Sequence, residues 1–444
     1  MREIIETLVK GKRVLILGFG KEGQSTYSLL SEIGGYSEIA VADRNPVSVQ
    51  LPSSTAVISG EDYQSCLNDF DVVIKSPGVV IERDIASYSC FVTSQTDLFF
   101  RKYRNQIVGI TGTKGKSTTS TLLHHILKEN GRDTILAGNI GIPAFDTIPL
   151  INAETVIVYE LSCHQLEFTR SSPAFSVLLN IFEDHLDHYG TMERYIAAKK
   201  NIYLHQNKDD TLICNIFTLP EEGEAHGGVI SASASDSGAD IYVSGSDIRW
   251  QGQSYTIPTD EIALFGQHNY YNISIAYCIC KKLGLSDAEF DIGLKSYKTL
   301  PHRMEYFATV DGVRYFDDSI STICEATIKA LCSIPNAETV LIGGMDRGID
   351  YSDLVSFLQT HSVPNIILMY DSGRRIFEQM SELPQTGNTL YFAENLAQGV
   401  AVAKRTARRG TSCILSPAAA SYGYFKNFEQ RGEAFKELVL SAAD

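Results

Sequence analysis

No two cysteines in this sequence are spaced as CxxC, and the nine present are scattered and odd in number. That pattern argues against a disulfide framework and fits buried thiols in a reduced, cytoplasmic protein. Basic residues are in deficit: 38 Lys and Arg face 53 Asp and Glu, for a net charge of −15. A nucleic-acid surface is therefore not expected, and any anion must be held by local basic groups. No run of about 18 apolar residues occurs, and the opening MREIIETLVKGKRVLILGFG has no apolar segment bounded by a cleavage site. Membrane spanning and secretion are not expected either. What remains is an ordinary globular composition, 44% hydrophobic and 20% charged. Its 444 residues are enough for roughly two to four domains.

The most informative stretch is IVGITGTKGKSTTSTL, residues 107–122. Ile107, Val108 and Ile110 predict a buried strand, Thr111 to Gly115 a tight loop, and Ser117 onward a helix. Gly112 and Gly115 let the backbone approach an anion. The N–H groups of Thr113, Lys114 and their neighbours then join the helix N-terminus in attracting phosphates. Lys116 is placed for the β- and γ-phosphates, and the Ser117 hydroxyl for a magnesium ion, with Thr118 beside it. The strict phosphate-loop spacing asks for glycine at position 110, where this chain has Ile, with Gly109 next to it.

Three α/β units follow from the alternation of apolar strands and helical stretches. In the first, Arg13 to Leu17 leads into Gly18-Phe-Gly20-Lys21-Glu22-Gly23. A second strand, Ile39 to Ala42, ends in Asp43-Arg44, with Asp43 20 residues after Gly23. This is a dinucleotide-binding fingerprint, although similar loops hold other nucleotides. Val72 to Lys75 then ends in Ser76-Pro77-Gly78, and the unit closes near residue 103.

In the second unit, Thr134 to Ala137 leads to Asn139, and the apolar strand Thr155 to Tyr159 delivers Glu160, followed by LSCHQ with Gln165. An acid in that place commonly holds the metal of a nucleotide–magnesium complex. Phe175 to Leu179 ends in NIFEDHLDH, with Asp184 and His185. Polar groups at the ends of neighbouring strands form a candidate constellation, because open parallel sheets bind ligands there. Lys199 reads by default as a solvated lysine on a helix. Its reading as a metal ligand requires a neutral amine that adds carbon dioxide to become a carbamate. Residues 219–258, rich in Ser, Gly and Asp, read as surface hairpins. GQHNYYN opens a helix on which Asn269 and Asn272 lie three apart, able to meet a purine edge or to cap the helix. The third unit begins near LPHR, and its strands end in Asp317-Asp318-Ser319, in GGMDRG, in Asp371-Ser-Gly and in Ser416-Pro.

Taken together, TGTKGKST, ELSCHQLE, NIFEDHLDHY, AAKKNIY, GQHNYYN, LPHRMEY and SPAAASYGYFKNFEQRG resemble the Mur ligase family, from about residue 12 to the end. The carboxyl-terminal block and the length are most similar to the member that adds D-glutamate to UDP-N-acetylmuramoyl-L-alanine in peptidoglycan precursor synthesis. The DNPR-type sequence of the diamino-acid-adding relative is absent. The resemblance implies an α/β protein of three domains. They are a Rossmann-like UDP-sugar-binding domain (1–103), a central P-loop ATPase-like domain with a parallel sheet plus a small β-rich section (104–299), and a Rossmann-like carboxyl-terminal domain (300–444).

It also implies an ATP-dependent amide ligase working through an acyl phosphate, with ATP and two magnesium ions, monomeric and cytoplasmic. Lys116, Glu160, His185 and carbamylated Lys199 would be the catalytic centre, with Ser117, Glu160, His185 and Lys199 on the metals. Asn269, Asn272, Arg303 and Asp317 would join the loop on ATP. Gly18, Gly20, Lys21, Glu22, Gly23, Asp43, Arg44, Ser76, Gly78, Asn139, Gln165 and His185 would meet the UDP-sugar. D-Glutamate would fall to Asp184, Thr322, Arg347, Ser421, Tyr422 and Phe428. Members commonly carry Lys where this chain has Ile320, and Lys where it has Arg347. Three competing readings are a sister ligase such as the alanine-adding enzyme or folylpolyglutamate synthase, an NAD-dependent oxidoreductase using GFGKEG, and a non-catalytic nucleotide-binding regulator. The oxidoreductase leaves the phosphate loop and Glu160 unexplained.

Overall fold

The computed structural model describes residues 1–140, 142–384 and 387–441. Five short apolar segments pair into a wholly parallel sheet: β1 (Arg13–Leu17), β2 (Glu38–Asp43), β3 (Ala56–Ser59), β4 (Val72–Lys75) and β5 (Phe91–Ser94), in the order β3-β2-β1-β4-β5. Helices α1 (Arg2–Val9), α2 (Lys21–Ile33) and α3 (Gln95–Tyr103) accompany it. The order reverses between β1 and β4, which opens a crevice at their carboxyl ends.

A second sheet holds β6 (Ile107–Thr111), β7 (Thr134–Gly138), β8 (Val156–Glu160), β9 (Phe175–Leu178), β10 (Thr211–Asn215), β11 (Gly228–Ser233), β12 (Ile241–Ser244), β13 (Asp247–Trp250) and β14 (Gln253–Thr256). Its order is β14-β13-β12-β11-β10-β9-β6-β8-β7. Strand β6 is buried along its whole length, as its apolar composition requires, and lies between β8 and β9. Helices α4 (Lys116–Glu129), α5 (Cys163–Leu166), α6 (Leu186–Tyr189), α7 (Met192–Lys200) and α8 (Gln267–Lys282) follow. The hairpins expected at 219–258 are present as β12, β13 and β14, paired antiparallel, but they are not separate: β11, parallel to both β10 and β12, joins them to this sheet. Ile241, Val243, Ile248 and Trp250 alternate inward. The intervening polar residues gave the stretch its surface-like composition.

These two sheets share one apolar core. Phe99 and Phe100 of α3 are fully buried and set their rings edge-on against Tyr159 of β8, at centroid distances of 5.8 Å. Each ring contributes roughly 1.5–3 kcal/mol by leaving water. Accordingly Met1–Ile257 and Tyr271–Leu294 form one compact unit.

The other compact unit is Pro258–Tyr270 with Lys295–Asp444. Its sheet runs β15 (Glu305–Val310), β16 (Val313–Asp317), β20 (Ser412–Leu415), β17 (Ala337–Ile342), β18 (Asn365–Met369), β19 (Thr389–Ala393), antiparallel only at β15–β16. Three α/β sheets are thus present among the described residues. No described helix is long and apolar enough to cross a membrane.

Candidate active site

The loop after β6 gathers positive charge around one carbonyl. Helix α4 begins at Lys116 itself, one residue earlier than the sequence suggests, with Gly115 as its N-cap at φ 88°. The first N–H groups of a helix have no intrahelical partner and attract anions. Lys116 Nζ donates to the carbonyls of Gly112 (2.9 Å) and Thr113 (3.0 Å). Lys199 Nζ, on α7, donates to the same Gly112 oxygen at 2.9 Å. Lys199 is only 1% exposed, so the default solvated reading does not hold. Burial first, and then the charge of Lys116, push its pKa down to about 7. Burial also lowers Lys116, partly offset by the carboxylate of Glu160. Two ammonium groups sharing a carbonyl in a desolvated place repel each other, and an anion relieves that repulsion.

Glu160 stands at the end of β8, in register with Ile110 of β6, and is fully buried. Its Oε1 accepts from Asn139 Nδ2 at 2.8 Å, while its buried Oε2 has no hydrogen-bond partner. A buried carboxylate oxygen left without a donor suits a cation. His185 caps α6 at φ 53°, half-exposed, with its backbone N–H on Asp184 Oδ1 (3.0 Å) and its ring beside His164. Burial, with His188 and His185 close by, drives His164 down to about 4. Asn272 presses on the loop from α8: a Cβ on Gly115 would come within 2.7 Å of its Oδ1.

A cavity of about 670 Å³ opens in the crevice between β1 and β4, lined by Gly18, Gly20, Lys21, Glu22, Asp43, Arg44, Ser76 and Gly78 among others. Gly23 packs behind the loop so closely that a Cβ would lie 2.1 Å from Gly18 O. Asp43 braces the loop, its carboxylate accepting from the N–H groups of Phe19 (2.7 Å) and Asn45 (2.8 Å). Arg44 pairs with exposed Glu61. Gln165 caps its own helix with Ser162 and donates to Glu22 at 2.6 Å. Asn139 and His185, also expected on the UDP-sugar, are placed with Glu160 and α6 rather than in the cavity lining.

In the other unit, Asn269 Nδ2 donates to Phe265 O at 2.8 Å, and Arg303 is exposed. Asp317 is fully buried, with His302 Nδ1 2.6 Å from one oxygen and the Ser319 N–H on the other. Arg347 donates to Thr322 O at 3.3 Å, and a bridge between Met345 and Ala420 brings its loop to the one bearing Ser421. Tyr422 is exposed, and Phe428 O accepts from Ser319 Oγ. Ile320 is half-buried, its N–H on His302 O.

Residues 110–280 match the Mur ligase middle domain. Across the chain, the sequence is 33% identical to the UDP-N-acetylmuramoylalanine–D-glutamate ligase of Geobacillus kaustophilus, over 96% of this chain and 97% of that protein. This chain belongs to the UDP-N-acetylmuramoylalanine–D-glutamate ligase family. The Bacillus subtilis ligase of the same name is 32% identical over 98% of both chains. The fold extends further: a crystal structure of MurF ligase from Thermotoga maritima, in complex with ADP, superposes with a TM-score of 0.57 at 17% identity, covering 99% of this chain and 98% of that one.

Sequence reasoning missed several residues that build the site of this D-glutamate ligase family member. Tyr195 OH shares a 2.9 Å hydrogen bond with Thr113 Oγ1. Lys75, only 2% exposed, pairs with Glu167 at 3.2 Å and points its Nζ at the carbonyl of Pro77, a residue of the cavity lining. Asn180 makes four contacts with the TGTKGKST loop. The only signal for Asn180 was its position, a polar residue at the end of an apolar strand.

Proposed function

We propose that this chain joins D-glutamate to UDP-N-acetylmuramoyl-L-alanine, using ATP and an acyl-phosphate intermediate. The observation that carries the reading is the meeting of Lys116 and Lys199 on Gly112 O, with Glu160 at the end of the adjacent strand. The near full-length identity to D-glutamate ligases supports the choice of amino acid.

Phosphoryl transfer between two anions needs neutralised charge and in-line placement more than covalent help. The acceptor carboxylate attacks the γ-phosphorus and the bond to the ADP oxygen breaks, giving the acyl phosphate. The D-glutamate amine then attacks the acyl carbon and loses a proton, and inorganic phosphate departs with the bonding electrons. Lys116 and the first-turn amides of α4 offset the repulsion between the reactants. The unpartnered Glu160 Oε2 fits a magnesium ion held with Ser117. His185 and Lys199 would hold a second. Magnesium, when bound, supplies positive charge to phosphate and carboxylate oxygens. With its pKa near 7, Lys199 is substantially neutral at neutral pH, the form that adds carbon dioxide, and the carbamate would turn its repulsion of Lys116 into attraction.

The 670 Å³ cavity, with Lys21 and Arg44, is assigned to the UDP-sugar together with Asn139 and Gln165. Asn269, Asn272, Arg303 and Asp317 are assigned to the nucleotide. Asp184, Thr322, Arg347, Ser421, Tyr422 and Phe428 are assigned to D-glutamate, and Arg347 can grip a carboxylate through two N–H groups. The reading takes the protein as a monomeric cytoplasmic enzyme with domain limits near residues 103 and 299.

A phosphate-release assay with UDP-N-acetylmuramoyl-L-alanine, ATP and D-glutamate, each omitted in turn, tests it. Release should require all three. A clear preference for another amino acid would overturn the substrate assignment.

A further inference from the structure

Asn180 lies two residues beyond the end of β9 and lays its carboxamide along the TGTKGKST loop. Its Oδ1 accepts from the N–H groups of Thr113 (3.1 Å) and Lys114 (2.8 Å), and its Nδ2 donates to Lys114 O (2.9 Å). Its backbone carbonyl accepts from Thr113 N–H as well, at 3.0 Å. One residue thus engages both amides at the front of the loop. The Thr113 and Lys114 N–H groups, expected on the phosphates, are therefore occupied, and beyond them the first loop amide that Asn180 does not engage is that of Gly115.

The contact is shaped from both sides. A Cβ on Gly112 would lie 2.9 Å from Leu179 Cβ and 3.3 Å from the Asn180 nitrogen, so a side chain there would push the loop off its support. From behind, Tyr271 OH donates to Leu179 O (3.0 Å), and Asn215 Nδ2 donates to Tyr271 OH (3.3 Å). Beyond Asn180 the same segment runs through Phe182, whose N–H reaches Thr113 Oγ1 at 2.9 Å, to Asp184 and His185.

We propose that Asn180 is a positioning residue for the ligase reaction. It latches the loop in its phosphate-receiving shape before nucleotide arrives, and it ties that loop to the segment carrying His185. The inference rests on the assignment of TGTKGKST to ATP. Fixing a loop beforehand removes the ordering entropy that binding would otherwise have to overcome.

The test compares the full-length wild type with Asn180→Ala in the phosphate-release assay, together with hydrogen exchange resolved across residues 112–118. Losing the carboxamide contacts should raise the KM for ATP roughly tenfold while the KM for UDP-N-acetylmuramoyl-L-alanine stays within about twofold. In the wild type without ATP, the amides of Thr113 and Lys114 should already be protected, with ATP adding protection only from Gly115 onward. In the variant the Lys114 amide should exchange freely, while Thr113 keeps its bond to the backbone carbonyl of residue 180 and loses protection only in part. An unchanged KM for ATP, an equal rise in both KM values, or free exchange at 113 and 114 in the wild type would each overturn the latch. If ATP protects no amide in 112–118 of the wild type, the nucleotide assignment falls and the latch with it.

Discussion

The first compact unit sequesters Lys116, Lys199 and Glu160 with their charges only partly answered, whereas the second buries Asp318 and Arg431 amid hydrogen bonds. In the first, two lysine Nζ atoms lean on a single carbonyl and a carboxylate oxygen has no donor at all. In the second, Arg431 sends Nε, Nη1 and Nη2 to Ser319 Oγ, Ala419 O and Ser319 O, all at about 3 Å. Asp318 accepts from Met304 N–H (3.1 Å) and Ser416 Oγ (2.7 Å). Unanswered buried charge persists where a ligand completes the balance, while answered charge fixes loops in place. The same chain holds both kinds, so substitutions can tell them apart.

The largest effect is expected at Lys116. Replacing it with Ala removes a cation from the developing charge of phosphoryl transfer, and phosphate release should fall roughly a thousandfold. The unfolding midpoint should stay within a few degrees, because this ammonium answers only backbone carbonyls. Normal turnover would break the comparison outright. Lys199→Ala should follow, with a loss of about a hundredfold that added formate or acetate partly reverses by replacing the carbamate. A variant with full activity would show that Lys199 is buried for the fold alone.

The frame of the first unit is legible in the sequence, although the charge contrast is not. Strands β1 and β4, and the loop from Thr111 to Gly115, fall where apolar runs and glycines place them, because buried parallel strands are nearly continuous in composition. Glu160 as part of a site at the strand ends followed from the rule that open parallel sheets bind ligands at their carboxyl ends, and Gly18, Gly20 and Asp43, which line the cavity, from the spacing of the GFGKEG fingerprint. The burial of Lys199 was not readable, because a lysine on a helix looks solvated until the tertiary fold covers it. Nor was the reach of the second sheet, since β12 to β14 alternate exposed and buried residues and read as separate surface hairpins. Asn180 and Lys75 depend on strand order, which brings β9 beside β6 and sets the end of β4 near Glu167. No local pattern encodes that order. Ile320 was legible as a missing cation, and the structure shows it half-buried with its N–H on His302 O.

The smallest expected effect sharpens what an answered charge means. Asp318 has neutral donors, yet burial still raises its pKa to about 6 from the ordinary 3.8. The folded protein therefore keeps this proton to higher pH than the unfolded chain, and it binds more protons between about pH 4 and pH 6. Stability then falls as pH rises through that window. Relative to Asp318→Asn, whose amide does not titrate, the wild type should lose about 2 kcal/mol of unfolding free energy between roughly pH 4.5 and 7 in urea titrations. A constant difference between the two proteins would mean that hydrogen bonds alone offset the desolvation of this carboxylate. The contrast with Glu160 would then be complete. A difference that shrinks as predicted would mean that neutral donors answer geometry but not charge, leaving Glu160 and Asp318 distinguished by what a cation could still reach.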